Sequence, residues 1–483
     1  MGTSAPKGAA VPSHESSADD GSPRPPGEIA SYAEHARYIE YLEKTNADWY
    51  DIREAYSRFG SSFPLGEAQW CSWIFCECEI DKNYALALCK RAVRDFIMIP
   101  IWIKYLELIE PDYILDGLLR AVKSGAAYHY QEGVKIWRTV IDRLIAIERP
   151  EMAIVVVALQ LRTPLKGNGE LPIEARMKES YENCRVFEND NPMIKELEWE
   201  GPQSVDELEE VIAAIERFEK KLVKERDSNS IGTLLSETAP DGLLFVYKSY
   251  AHYLEEKNLP GYALSVHERC VKEAFMDARG WKEYFAFRKR KRMPLLEATD
   301  RALRNMPLSE DLWIANLRTM EREELPLEDF MERYRCCPRK TVEIICCALQ
   351  RCRRSARKCI AISSTAFNDI FSASTFKEGS YEWAEVNSLR AAMTSDVPLM
   401  ENVLVHRGKE ARWWMEYIDL LIGGDKKKIR VAFSNAVRTV SNTQIHDIAR
   451  KWKRWEAVNG SLEDYEGAEE EVSSHLSSVW GNF

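Results

Sequence analysis

Two stretches of this sequence share one pattern, and that pattern decides the fold. Residues 269–285 read RCVKEAFMDARGWKEYF, and residues 301–317 read RALRNMPLSEDLWIANL. In each stretch an Arg, a small residue and an aliphatic residue stand in a row, and a Trp follows twelve positions after the Arg. The two Trp are thirty-two positions apart. A fixed period of this length indicates a repeated pair of helices.

Both parts of the pattern recur along the chain. The predicted aromatic anchors are Trp70, Trp73, Trp102, Tyr105, Trp281, Tyr284, Trp313, Trp414 and Tyr417. The small-residue part returns as Arg91-Ala92-Val93, Arg120-Ala121-Val122 and Asn435-Ala436-Val437. A small Ala or Cys lets a neighbouring helix approach closely enough to cover the aromatic rings, and such pairs stack unit after unit. The sequence therefore predicts an all-α fold, an α-solenoid of helical hairpins in two sub-arrays.

Two segments of the sequence carry the same helix-boundary pattern. Residues 63–70 read FPLGEAQW, and residues 306–313 read MPLSEDLW. Proline cannot continue a helix, and Gly or Ser is favoured at the N-cap of the next one. We expect one helix to end before each proline and the next to begin after Gly66 or Ser309.

Composition excludes several classes of protein. Of 483 residues, 45% are hydrophobic, so the chain can bury a large core, and the formal net charge is −11. A protein that works mainly through phosphate contacts is usually basic, so the acidic balance argues against a chain devoted to nucleic acid. No run of eighteen apolar residues occurs, so we expect no membrane partner.

The chain is expected to divide into four parts. Residues 1–28 are rich in Ser, Pro and Gly and predict a disordered tail. Turn-forming and charged residues between about 163 and 241 predict a seam between an N-terminal array (29–203) and a C-terminal array (204–477). Residues 478–483 form a short tail.

The Trp-x-x-Tyr pairs, the Arg-Ala-Val segments and the proline stops resemble the half-a-TPR (HAT) repeat, which occurs in RNA-processing scaffolds. Three stretches carry the resemblance furthest: residues 63–105, residues 301–322, and residues 414–465, the last ending in GSLEDY at 460–465. They resemble the HAT proteins that recycle U4/U6 small nuclear ribonucleoproteins. The resemblance covers about residues 30–478.

This resemblance implies a nuclear, non-catalytic splicing scaffold without a cofactor. Its implied partners are spliceosomal ribonucleoprotein components, a ubiquitin-specific protease, and a second copy of the chain bound through residues near 380–477. That family continues into two RNA-recognition motifs and an Lsm-binding tail, but nothing here matches the RNP1 pattern. The resemblance therefore predicts that U6 or U4/U6 RNA is bound indirectly, by a HAT-only form or through another subunit.

One segment is the strongest basic feature of the sequence. It contains Arg333, Arg335, Arg339, Lys340, Arg351, Arg353, Arg354, Arg357 and Lys358 against the single acid Glu343. Such a cluster suits RNA phosphate or an acidic partner, and it is equally compatible with a solvated helix face.

A second basic run, Arg288-Lys289-Arg290-Lys291-Arg292, resembles a nuclear-import signal. It ends a predicted helix just before Pro294. Basic residues in a last turn also complement the helix dipole, so capping is the alternative interpretation.

The sequence contains no recognisable catalytic or metal-binding motif. Cys336, Cys337, Cys346, Cys347, Cys352 and Cys359 lack paired C-x-x-C spacing and a nearby His, so packed thiols are expected rather than zinc ligands. No phosphate loop, nucleophile elbow or H-E-x-x-H motif occurs. We expect no enzyme activity. Three functions remain open: the U4/U6 scaffold, a HAT scaffold of another pre-mRNA-processing complex such as 3′-end cleavage and polyadenylation, and a direct binder of RNA backbone through residues 333–358.

Overall fold

The computed structural model describes residues 31–168, 172–187, 202, 204–229, 240–356, 369–370, 376–441 and 443–480. Within these ranges the chain forms α-helices and three short 3-10 turns, and no strand. The helices of the first part are α1 (Tyr32–Lys44), α2 (Trp49–Ser62), α3 (Glu67–Ile80), α4 (Lys82–Ala92), α5 (Ile99–Leu108), α6 (Ile114–Lys123), α7 (Gly133–Ala146), α8 (Pro150–Arg162), α9 (Ile173–Phe187), α10 (Val205–Asn229), α11 (Asp241–Glu256), α12 (Pro260–Glu273), α13 (Ala278–Arg290) and α14 (Leu296–Asn305).

The remaining helices are α15 (Glu310–Arg322), α16 (Leu327–Cys336), α17 (Val342–Ala356), α18 (Tyr381–Thr394), α19 (Val397–Arg407), α20 (Ala411–Leu421), α21 (Lys426–Thr439), α22 (Ile445–Asn459) and α23 (Leu462–Trp480). The predicted tail at 1–28 lies outside the described residues. No helix in the described ranges combines the length and the apolar composition needed to cross a membrane.

Local sequence explains where the helices begin. Ser31 and Glu34 form a reciprocal capping box at α1, in which the Ser31 N–H donates to Glu34 Oε2 at 2.6 Å. Gly66 and Ser309 occupy the N-cap positions predicted for them, and α2 and α14 end before Pro64 and Pro307. One detail differs from expectation: the Ser309 side chain makes no capping hydrogen bond, so backbone conformation alone starts α15.

Packing follows the order of the chain. Within each part, consecutive helices contact one another, and second neighbours such as α5 with α7 and α20 with α22 also pack together. Contacts of this kind are typical of stacked helical repeats, in which each unit touches mainly its neighbours. The predicted fold class, an all-α solenoid of helical repeats, is confirmed.

The chain forms two compact units, Met1–Met306 and Pro307–Phe483. The first unit includes helices on both sides of the seam expected between residues 163 and 241. Four contacts show why: Tyr128 packs on Tyr262 with ring centroids 4.3 Å apart, Phe96 packs on Trp281, Lys272 pairs with Glu67, and Arg304 pairs with Asp95. The predicted boundary at residue 203 therefore falls inside a compact unit, and the grouping of repeats into arrays 29–203 and 204–477 stays a prediction.

Candidate docking surfaces

The predicted anchors lie in the cores of their units. Trp70, Trp73, Trp102, Tyr105, Trp281, Tyr284, Trp313 and Trp414 are buried, whereas Tyr417 is half-buried. Burying a large aromatic side chain removes roughly 150–250 Å² of surface from water, which makes such residues dominant in core energetics. These residues hold the repeats together and leave the outer surfaces for other molecules.

Three anchors also fix the loop before their helix. The indole Nε1 of Trp281, Trp313 and Trp414 donates to the backbone carbonyl six residues earlier, at Phe275, Pro307 and Gly408, over 2.6–3.0 Å. Each indole thus joins the first turn of an aromatic helix to the beginning of the connection that precedes it. The equal spacing is a repeat feature that the sequence pattern contains but that we did not predict.

The Arg of the small-residue signature has a structural role in the first unit. Arg301 donates to both carboxylate oxygens of Glu268 at 3.0 and 2.8 Å, and Tyr284 donates its hydroxyl to the same carboxylate. Arg269 likewise donates to Glu219 at 2.5 and 2.9 Å, and all four charged side chains are buried. Arg269 and Arg301 therefore each bind an acid of an earlier helix, whereas Arg91 donates to the Gly60 carbonyl and Arg120 to the Tyr105 hydroxyl.

Electrostatics keeps these buried groups ionised. Burial opposes the charge of Glu268, but the charge and hydrogen bonds of Arg301 outweigh it, so the pKa of Glu268 is lowered. Burial also opposes the charge of Arg269, but the hydrogen bond that Arg269 donates to Glu219, together with nearby negative charge, outweighs burial, so the pKa of Arg269 is raised. The bidentate pairs therefore link α10 to α12 and α12 to α14 inside the core.

The predicted basic patch is largely occupied by contacts within the chain. Arg335 pairs with Asp369 at 2.6 Å, Arg354 pairs with Glu321 at 2.8 Å, and Arg351 donates to the Leu325 carbonyl. Lys340 donates to the carbonyls of Tyr334, Arg335 and Cys337 and closes the end of α16. Arg333 is half-buried and Arg339 is exposed. Arg357, Lys358 and the side chain of Arg353 lie outside the described residues.

The predicted import run is partly engaged as well. Arg288 donates to the Tyr284 hydroxyl at 2.6 Å and to the Pro294 carbonyl at 2.8 Å, and Arg290 pairs with Glu255 at 2.7 Å. Lys289 and Arg292 are exposed, and Lys291 caps α13. Two arginines of the run thus stabilise the fold while its other side chains face outward.

The cysteines of the 336–352 segment are thiols within helices or beside them. Burial raises the pKa of Cys346 and Cys352 to about 11, so both are protonated at neutral pH. Cys359 lies outside the described residues. In the described part of the chain, no group of His, Cys, Asp and Glu is arranged to hold a metal ion.

A groove in the first unit brings together charged residues that are far apart in the sequence. Its volume is about 510 Å³, and α4, α5, α6, α12, α13 and α14 contribute to its lining. Six cationic side chains line it against two carboxylates, Glu268 and Glu297: Lys90, Arg94, Arg120, Lys123, Arg288 and Arg301. We call this site the basic groove. Its cations lie between residues 90 and 301, and only Arg288 belongs to a basic run of the sequence, so a search for charged runs could not have found the groove as a whole.

Comparison with known proteins gives one consistent relationship. The chain is 23% identical over 496 residues to "Spliceosome associated factor 3, U4/U6 recycling protein" of Homo sapiens, which covers 93% of this chain and 49% of the relative. The protein of the same name from Mus musculus is 24% identical over 475 residues, covering 89% and 46%, and that of Pongo abelii is 23% identical over 496 residues. No family model matches the chain.

This similarity supports the prediction, made from the repeats, that the chain is related to proteins of U4/U6 recycling. It extends along nearly the whole chain rather than over a single motif. The chain spans about half the length of the curated relatives it matches.

Proposed function

We propose that this protein is a non-catalytic scaffold in pre-mRNA splicing that assists the assembly or recycling of U4/U6 particles. The observation that carries the proposal is the similarity over 93% of the chain to a protein named as a U4/U6 recycling factor. An all-α array of repeats supports it, because stacked helical pairs provide extended surfaces for docking. Nuclear localisation follows from this role, with the exposed Lys289 and Arg292 of the import run as the first residues to test in a reporter fusion.

The scaffold would act by holding proteins. Ribonucleoprotein components, and a ubiquitin-specific protease by family resemblance, are the proposed partners, and U6 RNA would be reached through them. The intrachain pairing of Arg335, Lys340 and Arg354 favours docking over direct RNA binding at residues 333–358, because paired cations release fewer counterions from RNA.

A homodimer through residues near 380–477 is part of the proposal. Exposed aliphatic side chains in that segment support it: Val405, Val458 and Leu462 are 80%, 79% and 72% exposed. Gel filtration with light scattering tests the dimer. Twice the chain mass at tens of micromolar is expected, and a single chain mass would remove this part of the proposal.

Affinity purification from nuclear extract tests the proposed process. Tagged protein should retain U4 and U6 RNA with their proteins above the level on a tag-only control, while U1 and U2 RNA stay at background. Enrichment of cleavage and polyadenylation factors without U4 and U6 would instead assign the scaffold to 3′-end processing.

A further inference from the structure

The lining of the basic groove has more cations than carboxylates. Its lining holds six cations and two carboxylates, although the whole chain has a net charge of −11. A local field opposite in sign to that of the rest of the molecule selects ligands by charge.

Most of these cations have no close carboxylate partner among the residues that the structure describes. Arg301 is the exception, since it is paired with Glu268. Arg94 lies 4.0 Å from Glu297, and both side chains are mainly exposed. Arg120 donates to the Tyr105 hydroxyl at 3.1 Å, which leaves its charge uncompensated.

Two lysines complete the rim of the groove. Lys90 ends α4 and Lys123 ends α6, and both are exposed. Neither makes an ion pair with any residue in the described ranges. Arg288 binds only neutral oxygen atoms there, those of Tyr284 and Pro294. Anionic groups that reach Lys90, Lys123 or Arg120 would therefore meet charge that has no ion-pair partner among the described residues.

The groove also has apolar surface. Val93 and Met293 are half-buried, and Pro294 is exposed, so aliphatic atoms line the space beside the cations. Trp102 and Tyr105 also line it but are 2% and 4% exposed. Nucleic-acid bases bind single-strand proteins by stacking on exposed aromatic faces, and these two rings are covered.

We propose that the basic groove binds an acidic peptide segment of a partner protein, with carboxylates on the cationic rim and an aliphatic side chain against Val93, Met293 and Pro294. The mixture of unpaired charge and apolar lining fits such a segment better than it fits RNA backbone, which offers phosphates without an aliphatic anchor. This inference rests on the proposed scaffold role and names the partner chemistry of one of its surfaces.

Fluorescence anisotropy tests the proposal with a short labelled peptide in which Asp and Glu flank one Leu. The matched probes are the same peptide with Asn and Gln in place of the acids, and a labelled single-stranded oligouridine. We expect saturable binding of the acidic peptide that weakens with salt, and none of its neutral counterpart.

Two double variants of equal charge locate the binding. Lys90→Gln/Lys123→Gln removes two unpaired cations of the rim, whereas Lys82→Gln/Lys220→Gln removes two exposed lysines that do not line the groove. The first variant should bind the acidic peptide with roughly fivefold lower affinity, as expected for the loss of two exposed ion pairs, and the second should bind it with unchanged affinity. Equal effects of the two variants, no saturable peptide binding, or groove-dependent binding of oligouridine alone would overturn the proposal.

Co-purification with the same variants separates this inference from the proposed function. If U4 and U6 particles are retained while the peptide does not bind, the groove assignment is wrong and the scaffold role stands. If the peptide binds through Lys90 and Lys123 while no splicing component is retained, the groove assignment stands and the process is wrong.

Discussion

Arg301 and Glu268 are both buried and share two hydrogen bonds, so each depends on the other for charge compensation. Removing one partner of such a pair leaves an uncompensated charge in the core. Arg301→Met should lower the free energy of unfolding by about 3–5 kcal/mol, measured by chemical denaturation. Adding Glu268→Gln should recover part of this loss.

The exposed pair Lys44 and Glu40 provides the control, since both side chains are mostly in solvent. Lys44→Met should lower the free energy of unfolding by less than about 1 kcal/mol. A loss of similar size for Arg301→Met would show that the internal pairs do not stabilise the repeats.

His129 gives the first unit a pH dependence. Burial, followed by the charges of Arg269 and Lys272, lowers the pKa of His129 to about 3. The unfolded chain binds a proton near pH 6.5 and the folded chain does not, so stability is complete above pH 6.5 and falls as the pH drops toward 3.

His129→Asn removes this titration and retains an acceptor for the Glu132 N–H, which now donates to His129 Nδ1. The variant should lose less stability than the natural protein between pH 7 and pH 5, by on the order of 1 kcal/mol. Melting temperatures across that range measure the difference. Parallel curves for the two proteins would contradict a neutral His129 in the fold.

Residues that recur in the repeat pattern could be predicted from the sequence, whereas residues whose partners are distant in the sequence could not. The anchors and the signature arginines were visible because they repeat. Glu219 and Glu268 were not, because they lie fifty and thirty-three positions before the arginines that they bind. Lys340 looked available for a ligand, but it closes the end of α16, and a charge count cannot distinguish the two roles.

At the scale of a helix, the indole of Trp414 ties the start of α20 to the carbonyl of Gly408 at 2.7 Å. Trp414→Phe keeps most of the ring and leaves the buried Gly408 carbonyl without this donor. Trp455 in the same core is a matched control, since no indole hydrogen bond to a described residue is found for it. Trp414→Phe should lower the free energy of unfolding by about 1–2 kcal/mol more than Trp455→Phe does, as measured by thermal unfolding. Equal costs would mean that the indole hydrogen bond contributes nothing.

Close packing between a turn and a helix makes a second prediction. Gly125 has φ +83°, and a Cβ there would lie 2.9 Å from the Ser265 backbone nitrogen on α12. Gly125→Ala should destabilise the protein by about 1–3 kcal/mol, because the left-handed conformation and the contact both disfavour a side chain.

Gly467 in α23 is the opposite case, with no atom within 4 Å of an added Cβ. Gly467→Ala should stabilise the protein by up to about 1 kcal/mol, the difference in helix propensity. Calorimetry of both variants measures these changes in stability. A Gly125→Ala variant as stable as the natural protein would show that α12 does not pack closely against this turn.

At the scale of the molecule, the two compact units make a prediction about fragments. Residues 31–306 keep the contacts of Tyr128 with Tyr262 and of Lys272 with Glu67, whereas a cut at residue 203 separates both pairs. Fragments 31–306 and 307–480 should each be helical and unfold cooperatively by circular dichroism. Fragments 31–203 and 204–477 should expose apolar surface and aggregate, and stable folding of both would instead confirm the two arrays predicted from the sequence.

Much of the whole-molecule organisation followed from the repeat period, including the all-α class and the stacking of neighbours. The division into compact units at residue 306 did not follow from it, because packing of Phe96 on Trp281 joins segments far apart in the chain, and the predicted array boundary at residue 203 stays a prediction. The basic groove was missed for the same reason: six helices supply its lining, and of its six cations only Arg288 belongs to a basic run in the sequence.

The amount of U4/U6 duplex relative to free U6 RNA, followed through successive rounds of splicing in nuclear extract depleted of this protein, tests the scaffold role most directly. If the chain assists recycling, the depleted extract accumulates free U6 RNA, and adding back the 483-residue chain restores the duplex. A depleted extract that maintains the duplex through every round would contradict the proposed function.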